Sequence, residues 1–296
     1  MTRLQASLVL LLVGALWGSG FPVQVIGMET VGPMVFLGLR FLIAAVATWP
    51  LAVREARLAP RPLSRHEWGM FLWIGLMVFL GSAAQQVGLL HTSVTNSGFL
   101  TGLYVVMVPI FAVLIFRQWP HPVVWPAAFL ALMGIWLLSG GTFGALNVGD
   151  GLTVLAAAFF AVQLILIARY AAQSRRPIAL SVLQSLVGGI LGLGAGLLIE
   201  EVSLAGLRDA APELLYAGLV SGALAFTLQA IGQAYVSAPV GALLLASEAI
   251  FAAVAGAVML GERVGALGLA GCGLIFAAIV LVEGWPLLQA RRRVSP

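Results

Sequence analysis

The chain has 296 residues, 61% of them hydrophobic and only 9% charged, with a formal net charge of +4 and a mean hydropathy of +1.07. Soluble domains carry about 25% charged residues, so a water-soluble globular protein is excluded, as is a transmembrane β-barrel, whose short alternating segments do not occur. The basic balance does not indicate nucleic acid, because the 15 basic residues, all Arg, lie at the ends of apolar segments except for Arg40 and have no aromatic stripe beside them.

Apolar segments of about 20 residues, the length that crosses a bilayer, recur along the whole chain and predict an all-α integral membrane protein with ten transmembrane helices. The first span, 5–27, has the basic start and apolar core of a signal peptide. It runs on through Trp17 and Phe21 to Ile26, beyond a signal core of about 7–15 residues, and reads as a first transmembrane helix. The second, 32–53, contains Arg40. The third, 68–90, carries Gln85 and Gln86, and only "HTSV" separates it from the fourth, 94–117, with Asn96, Thr101, Tyr104 and Pro109. Merging those two would give a stretch too long for one crossing, so a turn is expected there. The fifth, 123–141, is almost wholly apolar, and the sixth, 150–170, contributes Gln163. The seventh, 177–199, opens on Pro177, and the eighth, 213–235, bears Gln229 and Gln233 four residues apart. The ninth, 239–261, holds Ser247 and Glu248, and the tenth, 264–284, holds Cys272, the lone cysteine. One cysteine excludes an intrachain disulfide, and in an apolar run it reads as a small packing residue.

Arginine placement orients the spans, since basic residues concentrate in cytoplasmic loops. With the N-terminus inside, twelve arginines fall on cytoplasmic ends, among them the cluster Arg54, Arg57, Arg61 and Arg65; Arg208 and Arg263 fall outside, and Arg40 lies within its span. Both termini are then cytoplasmic, in a bacterial-type inner membrane. A 144-residue offset aligns Gln85, Gly88 and Ser93 with Gln229, Gly232 and Ser237, and Pro33 with Pro177, and Arg40 with Gln184. Each half, 1–146 and 147–296, thus holds five spans. Five crossings reverse direction, which predicts an inverted repeat of the kind common in secondary transporters. "VPIFAV" (108–113) resembles "EAIFAA" (248–253) at an offset of 140 instead, which suggests a one-turn difference between the fourth and ninth helices.

Polar side chains inside a membrane need a partner or a water-filled cavity, and they mark pathways. The candidates for a substrate-binding cavity are Trp17, Gln85, Gln86, Asn96, Thr101, Tyr104, Gln163, Gln229, Gln233, Ser247 and Glu248. Interhelical hydrogen bonding, at about 1 kcal/mol per contact, is the alternative role for each amide. Glu248 lies about 13 Å into its span at 1.5 Å per residue. It is a candidate to carry a coupling proton, to face a substrate ammonium group, or to make a structural hydrogen bond. Arg40 has three readings (a substrate carboxylate, an acidic partner, or snorkelling outward), with the structural ones favoured. Glycines four apart, as at Gly14/Gly18, Gly98/Gly102, Gly188/Gly192/Gly196 and Gly218/Gly222, suit close helix packing. Pro22 and Pro109 suit kinks. No Cys/His spacing indicates a metal, no GxxxxGK loop indicates a nucleotide, and no nucleophile–base set indicates an enzyme. No cofactor is expected. The expected partners are a small-molecule substrate and membrane lipid; a monomer satisfies the pattern, although small-residue faces serve a dimer equally.

"ALWGSGFPV" in the first span, "GLRF" in the second, "HTSVTNSGFLTGLYVVMVPIFAVL" in the fourth and "LASEAIFAAVAGAVMLGERVGALGLAGCGLIFAAIVLV" at the end resemble the EamA-type transporters of the drug/metabolite transporter superfamily, over essentially the whole chain in two copies. The first half departs from the tail pattern, with Arg117-Gln118 where the second half has Glu262-Arg263. The resemblance implies ten helices, both termini cytoplasmic, a central cavity between inverted halves and export of small metabolites. Within that range a cavity with amides, Trp17, Tyr104 and few charges suits an aromatic or neutral amino acid, as in the YddG-like exporters of the superfamily. The alternative is a cationic-drug exporter with Glu248 as its substrate or proton site.

Overall fold

A computed structural model describes residues 1–92, 94–141, 147–260 and 264–294, without the side chains of 94–96, 256, 259–260 and 286–294. In chain order the helices are α1 (Arg3–Met28), α2 (Pro33–Leu58), α3 (Arg65–Leu89), α4 (Val94–Gly102), α5 (Tyr104–Leu114), α6 (Val124–Leu138), α7 (Val148–Ser174) and α8 (Pro177–Ile199). There follow α9 (Leu204–Asp209), α10 (Ala211–Tyr216), a π-helix (Ala217–Leu224), α11 (Ala225–Gln233), α12 (Ala238–Leu245), α13 (Glu248–Leu260) and α14 (Ala266–Val294). Among the described residues, nine helical stretches are long and apolar enough to cross a membrane. The segment of the expected fifth span, α6, has 15 residues and is about 22 Å long at 1.5 Å per residue, short of the roughly 30 Å hydrocarbon core. The expected turn between the third and fourth spans is present, with α3 ending at Leu89 and α4 starting at Val94.

Local chemistry sets the ends. Thr2 with Gln5, Ser64 with Glu67 and Asn147 with Asp150 form capping boxes at the starts of α1, α3 and α7, each satisfying backbone N–H groups that the helix leaves unpaired. Two helix starts are capped from a distance. The Glu200 carboxylate, at the end of α8, accepts from the backbone N–H groups of Met34 and Val35, both at 2.8 Å. The Glu55 carboxylate, near the end of α2, accepts from those of Ile178 at 3.0 Å and Ala179 at 2.9 Å, and from Arg176 Nε at 3.2 Å. Each helix end therefore caps the other helix's start, which requires α2 and α8 to run antiparallel.

Glycine permits that pair to meet. A Cβ on Gly192 would sit 2.9 Å from the backbone nitrogen of Gly38, and one on Gly196 would sit 2.7 Å from that of Val35. Only glycine allows backbones so close. The α6–α14 crossing is built the same way, with a Cβ on Gly134 falling 2.6 Å from the Gly271 carbonyl oxygen. Of the expected glycine faces, Gly14/Gly18 meets the start of α13, Gly188/Gly192/Gly196 meets α2 and Gly218/Gly222 meets α2, whereas nothing lies within 4 Å of a Cβ built on Gly98. Outward-facing side chains are apolar, Val46, Trp49, Leu72, Phe129, Ile190 and Leu198 among them, an exterior that suits lipid and would associate in water.

The helix pairings repeat under a shift of five segments. The pairing of α1 with α11 corresponds to that of α7 with α3, α1 on α12–α13 to α7 on α4–α5, and α2 on the π-helix to α8 on α3. The pairs α2–α8 and α6–α14 map onto themselves. The sequence offset of 140 between "VPIFAV" and "EAIFAA" does not carry into the backbone. The fourth segment bends at Leu103 and restarts at Tyr104; the ninth bends at Ala246–Ser247 and restarts at Glu248, which restores the 144-residue offset. The expected one-turn difference between these helices is therefore corrected: the sequence drifted by a turn while the bends stayed equivalent.

Candidate functional site

The bends in the fourth and ninth segments arise where the helical ladder tightens. Leu103 N–H bonds to the Leu100 carbonyl, and Ser247 N–H to that of Leu244, three residues back rather than four. Tyr104 and Glu248 begin the two helices that follow. They are 144 residues apart, and the Tyr104 hydroxyl donates to the Glu248 carboxylate at 3.3 Å.

Around this contact lies a cavity of about 90 Å³, room for a few waters and below the roughly 300–1,000 Å³ typical of small-molecule sites. Its lining is mixed: Gln24, Arg40, Ser82, Gln85, Thr101, Gln163, Ser221 and Gln229 join Tyr104 and Glu248 as polar members, and Trp17, Phe21, Phe160, Leu164, Phe226 and Leu245 complete its walls. Local bonds fix these walls. Trp17 Nε1 donates to the Ser221 carbonyl at 3.0 Å, a group carried on the π-helix, whose wider turns recur at functional sites. Trp17 and Phe226 meet edge-on at 5.2 Å, a favoured aromatic geometry. Gln85 Nε2 donates to Thr101 Oγ1 at 2.9 Å, and Gln163 Nε2 donates to Gln184 Oε1 at 3.2 Å. Both amide atoms of the fully buried Gln229 make no hydrogen bond among the described residues, although the side chain reaches the cavity. Arg40 Nη1 donates to Gln24 Oε1.

Most of the cavity lining lies toward one end of the bundle, with Phe226 and Gln229 toward the other. It draws on the C-terminal halves of α1 and α3 and on the N-terminal half of α2, which lie at the same end of the bundle. At the opposite end α7 packs against α11 and α12, while its repeat counterpart α1 makes no comparable packing with α3 and α4 among the described residues. That packing brings together Ile165, Ala168 and Val236, which line a second pocket with Arg169 and Trp119.

Seven of the sequence candidates are brought together: Trp17, Gln85, Thr101, Tyr104, Gln163, Gln229 and Glu248. Three are not. Gln86 is fully buried and absent from the lining because it points about 100° around α3 from Gln85. Gln233 lies one turn beyond Gln229, beneath Gly241, where a Cβ would meet its Nε2 at 3.1 Å. Ser247 turns its hydroxyl against Gly14 instead. The side chain of Asn96 lies outside the described residues, as do Ser93, Glu262 and Arg263. Sequence reasoning missed Phe21, Gln24, Ser82, Phe160, Ser221 and Phe226. Of these, only Gln24, a polar residue inside an apolar span, carried a signal. Arg40, for which structural roles were expected, lines the cavity.

The EamA-like transporter family model matches twice, over residues 4–140 and 147–284. A protein of Archaeoglobus fulgidus described as an uncharacterized transporter is 30% identical over 284 residues, spanning 95% of this chain and 86% of its own. The uncharacterized transporter YwfM of Bacillus subtilis is 26% identical over 292 residues, 96% of this chain and 95% of its own. A crystal structure 17% identical in sequence superimposes with a TM-score of 0.79, covering 99% of this chain and 100% of the other, a likeness of fold.

Proposed function

The chain belongs to the EamA-like transporter family, and from that premise we propose that it is a secondary transporter that exports amino acids, aromatic or neutral ones, through the central cavity. The observation that carries the reading is the contact between Tyr104 and Glu248 inside that cavity. An acceptor carboxylate with a phenol beside it and aromatic rings in the same lining suits an ammonium group on an apolar body, since cations sit favourably over aromatic faces. Ten crossings in two inverted halves are supported by the reciprocal caps of Glu55 and Glu200 and by the exchange of helix pairings between halves. The halves meet near residue 146, and Arg placement favours cytoplasmic termini in an inner membrane. On that orientation the cavity faces outward and the α7–α11–α12 packing closes the cytoplasmic side. Alternating access moves the closure to α1, α3 and α4, the repeat counterparts.

The test is uptake of labelled Phe, Trp, Met, Thr, Lys and a cationic drug into proteoliposomes, with and without a pH gradient, for the wild type and Glu248→Gln. Phe or Trp uptake that falls at least tenfold in the variant supports the reading. A response to the gradient that the variant loses assigns the coupling proton to Glu248. Uptake of the cationic drug alone would replace the amino-acid reading with that of a drug exporter.

A further inference from the structure

We infer that Arg40 binds an anionic group of the transported solute, a carboxylate, at the outer end of the cavity; this rests on the transporter reading above. The two structural roles expected for this arginine do not hold. No carboxylate lies within 4.0 Å of it among the described residues, since the ion pairs there join Arg3 to Glu283, Arg61 to Glu67 and Arg176 to Glu55. Nor does it reach outward, because only 8% of it is exposed. Its side chain lines the cavity, with its guanidinium carbon 5.1 Å from the Phe41 ring centroid.

A guanidinium has five N–H donors. Here Nη1 donates to Gln24 Oε1, and Nε is buried without a hydrogen-bond partner among the described residues. Gln24 is itself anchored, its Nε2 donating to the Gly20 carbonyl at 3.3 Å, so its oxygen is held toward Arg40 and fixes the plane of the guanidinium. A buried cation without a counter-charge is costly, and ionisable groups inside membranes mark substrate pathways. A flat, oriented fork of N–H groups matches a carboxylate with two parallel bonds. The repeat makes the site one-sided. Gln184, the counterpart of Arg40, is neutral, fully buried and occupied by Gln163. The solute therefore has one polarity in the cavity, with its carboxylate toward Arg40, its ammonium toward Glu248 and Tyr104, and its apolar body among Trp17, Phe21, Phe160 and Phe226.

The test is competition against labelled Phe uptake in proteoliposomes by unlabelled Phe and by phenethylamine, which keeps the ring and ammonium and lacks the carboxylate. The wild type, Arg40→Gln, Arg40→Lys and Gln24→Leu are compared, each with a thermal melt to check folding. In the wild type phenethylamine competes at least tenfold more weakly than Phe. Arg40→Gln raises the KM for Phe at least tenfold and removes the preference for Phe over the amine; Arg40→Lys recovers part of both. Gln24→Leu retains the charge, raises the KM severalfold and remains informative if Arg40→Gln does not fold. Wild-type transport of Phe with the KM and preference unchanged in Arg40→Gln, or in Gln24→Leu and Arg40→Lys if Arg40→Gln fails to fold, overturns the role of Arg40 and leaves the amino-acid reading intact. A wild type that moves no Phe overturns both.

Discussion

The reciprocal caps on α2 and α8 give a stability prediction with a built-in control. Glu200→Ala removes two charge-assisted bonds to the N–H groups of Met34 and Val35; Glu55→Ala removes two to Ile178 and Ala179 and one to Arg176. Hydrogen bonds to charged groups contribute about 1.5–3 kcal/mol each, but water can reach helix ends and restore part of that, so about 1 kcal/mol per bond is the working figure. Glu200→Ala should then cost about 2 kcal/mol and Glu55→Ala about 3 kcal/mol. At roughly 2–4 °C per kcal/mol for a chain somewhat shorter than this one, the first lowers Tm by about 4–8 °C and the second by more. The two caps sit at opposite ends of α2, about 30 Å apart at 1.5 Å per residue, so the double variant should be additive within about 0.5 kcal/mol. The assay is intrinsic-fluorescence melting of the detergent-solubilised protein. Tm shifts under 1 °C for both variants, or a double variant no worse than one single, would refute the antiparallel pair.

Gln86 and Gln233 bury amide atoms that have no hydrogen-bond partners among the described residues and lie away from the cavity, so Gln86→Met and Gln233→Met should leave the melting temperature unchanged or raised, because removing an unsatisfied polar group relieves its desolvation cost. Uptake measurements on the same variants should show wild-type rates, in contrast to Gln229→Met, which alters the lining and should slow transport. Trp17→Phe removes the bond to the Ser221 carbonyl and should cost about 1 kcal/mol, read as a lower Tm. Solute binding should also quench or shift Trp17 emission, a signal that variant would lose.

Much of the bundle was legible in the sequence because membrane helices announce themselves by length and by backbone economy: every N–H must be satisfied within the segment, so most long apolar runs became helices within about five residues of the expected bounds, although α14 continues ten residues past its expected end, to Val294. The bend at Glu248 and its mate at Tyr104 were not legible, because the local match of "VPIFAV" to "EAIFAA" pointed to an offset of 140 where the helix restarts keep 144. Nor was rotation about the helix axes. A segment that is apolar all round has no polar face to say which way it turns, so Phe21, Phe160 and Phe226 read like lipid-facing residues although they line the cavity. The amides show the same limit. Gln85 and Gln86 are neighbours, and only one can face inward; Gln229 and Gln233 share a face, but one turn of height places the second outside the cavity. The π-helix at Ala217–Leu224 also left no mark, since nothing in "AGLVSGAL" separates it from an ordinary turn of α-helix.

The most direct test of alternating access is to pin the closed side shut. With Cys272→Ser as background, cysteines at Ala168 and Val236, which line the inner pocket together, are joined by a short reducible cross-linker in proteoliposomes. Uptake of Phe, or of whichever solute of the panel is carried, is measured before and after reduction. The account predicts that transport stops when the pair is joined, returns on reduction, and is unaffected in either single-cysteine variant. Full cross-linking with undiminished transport would contradict it.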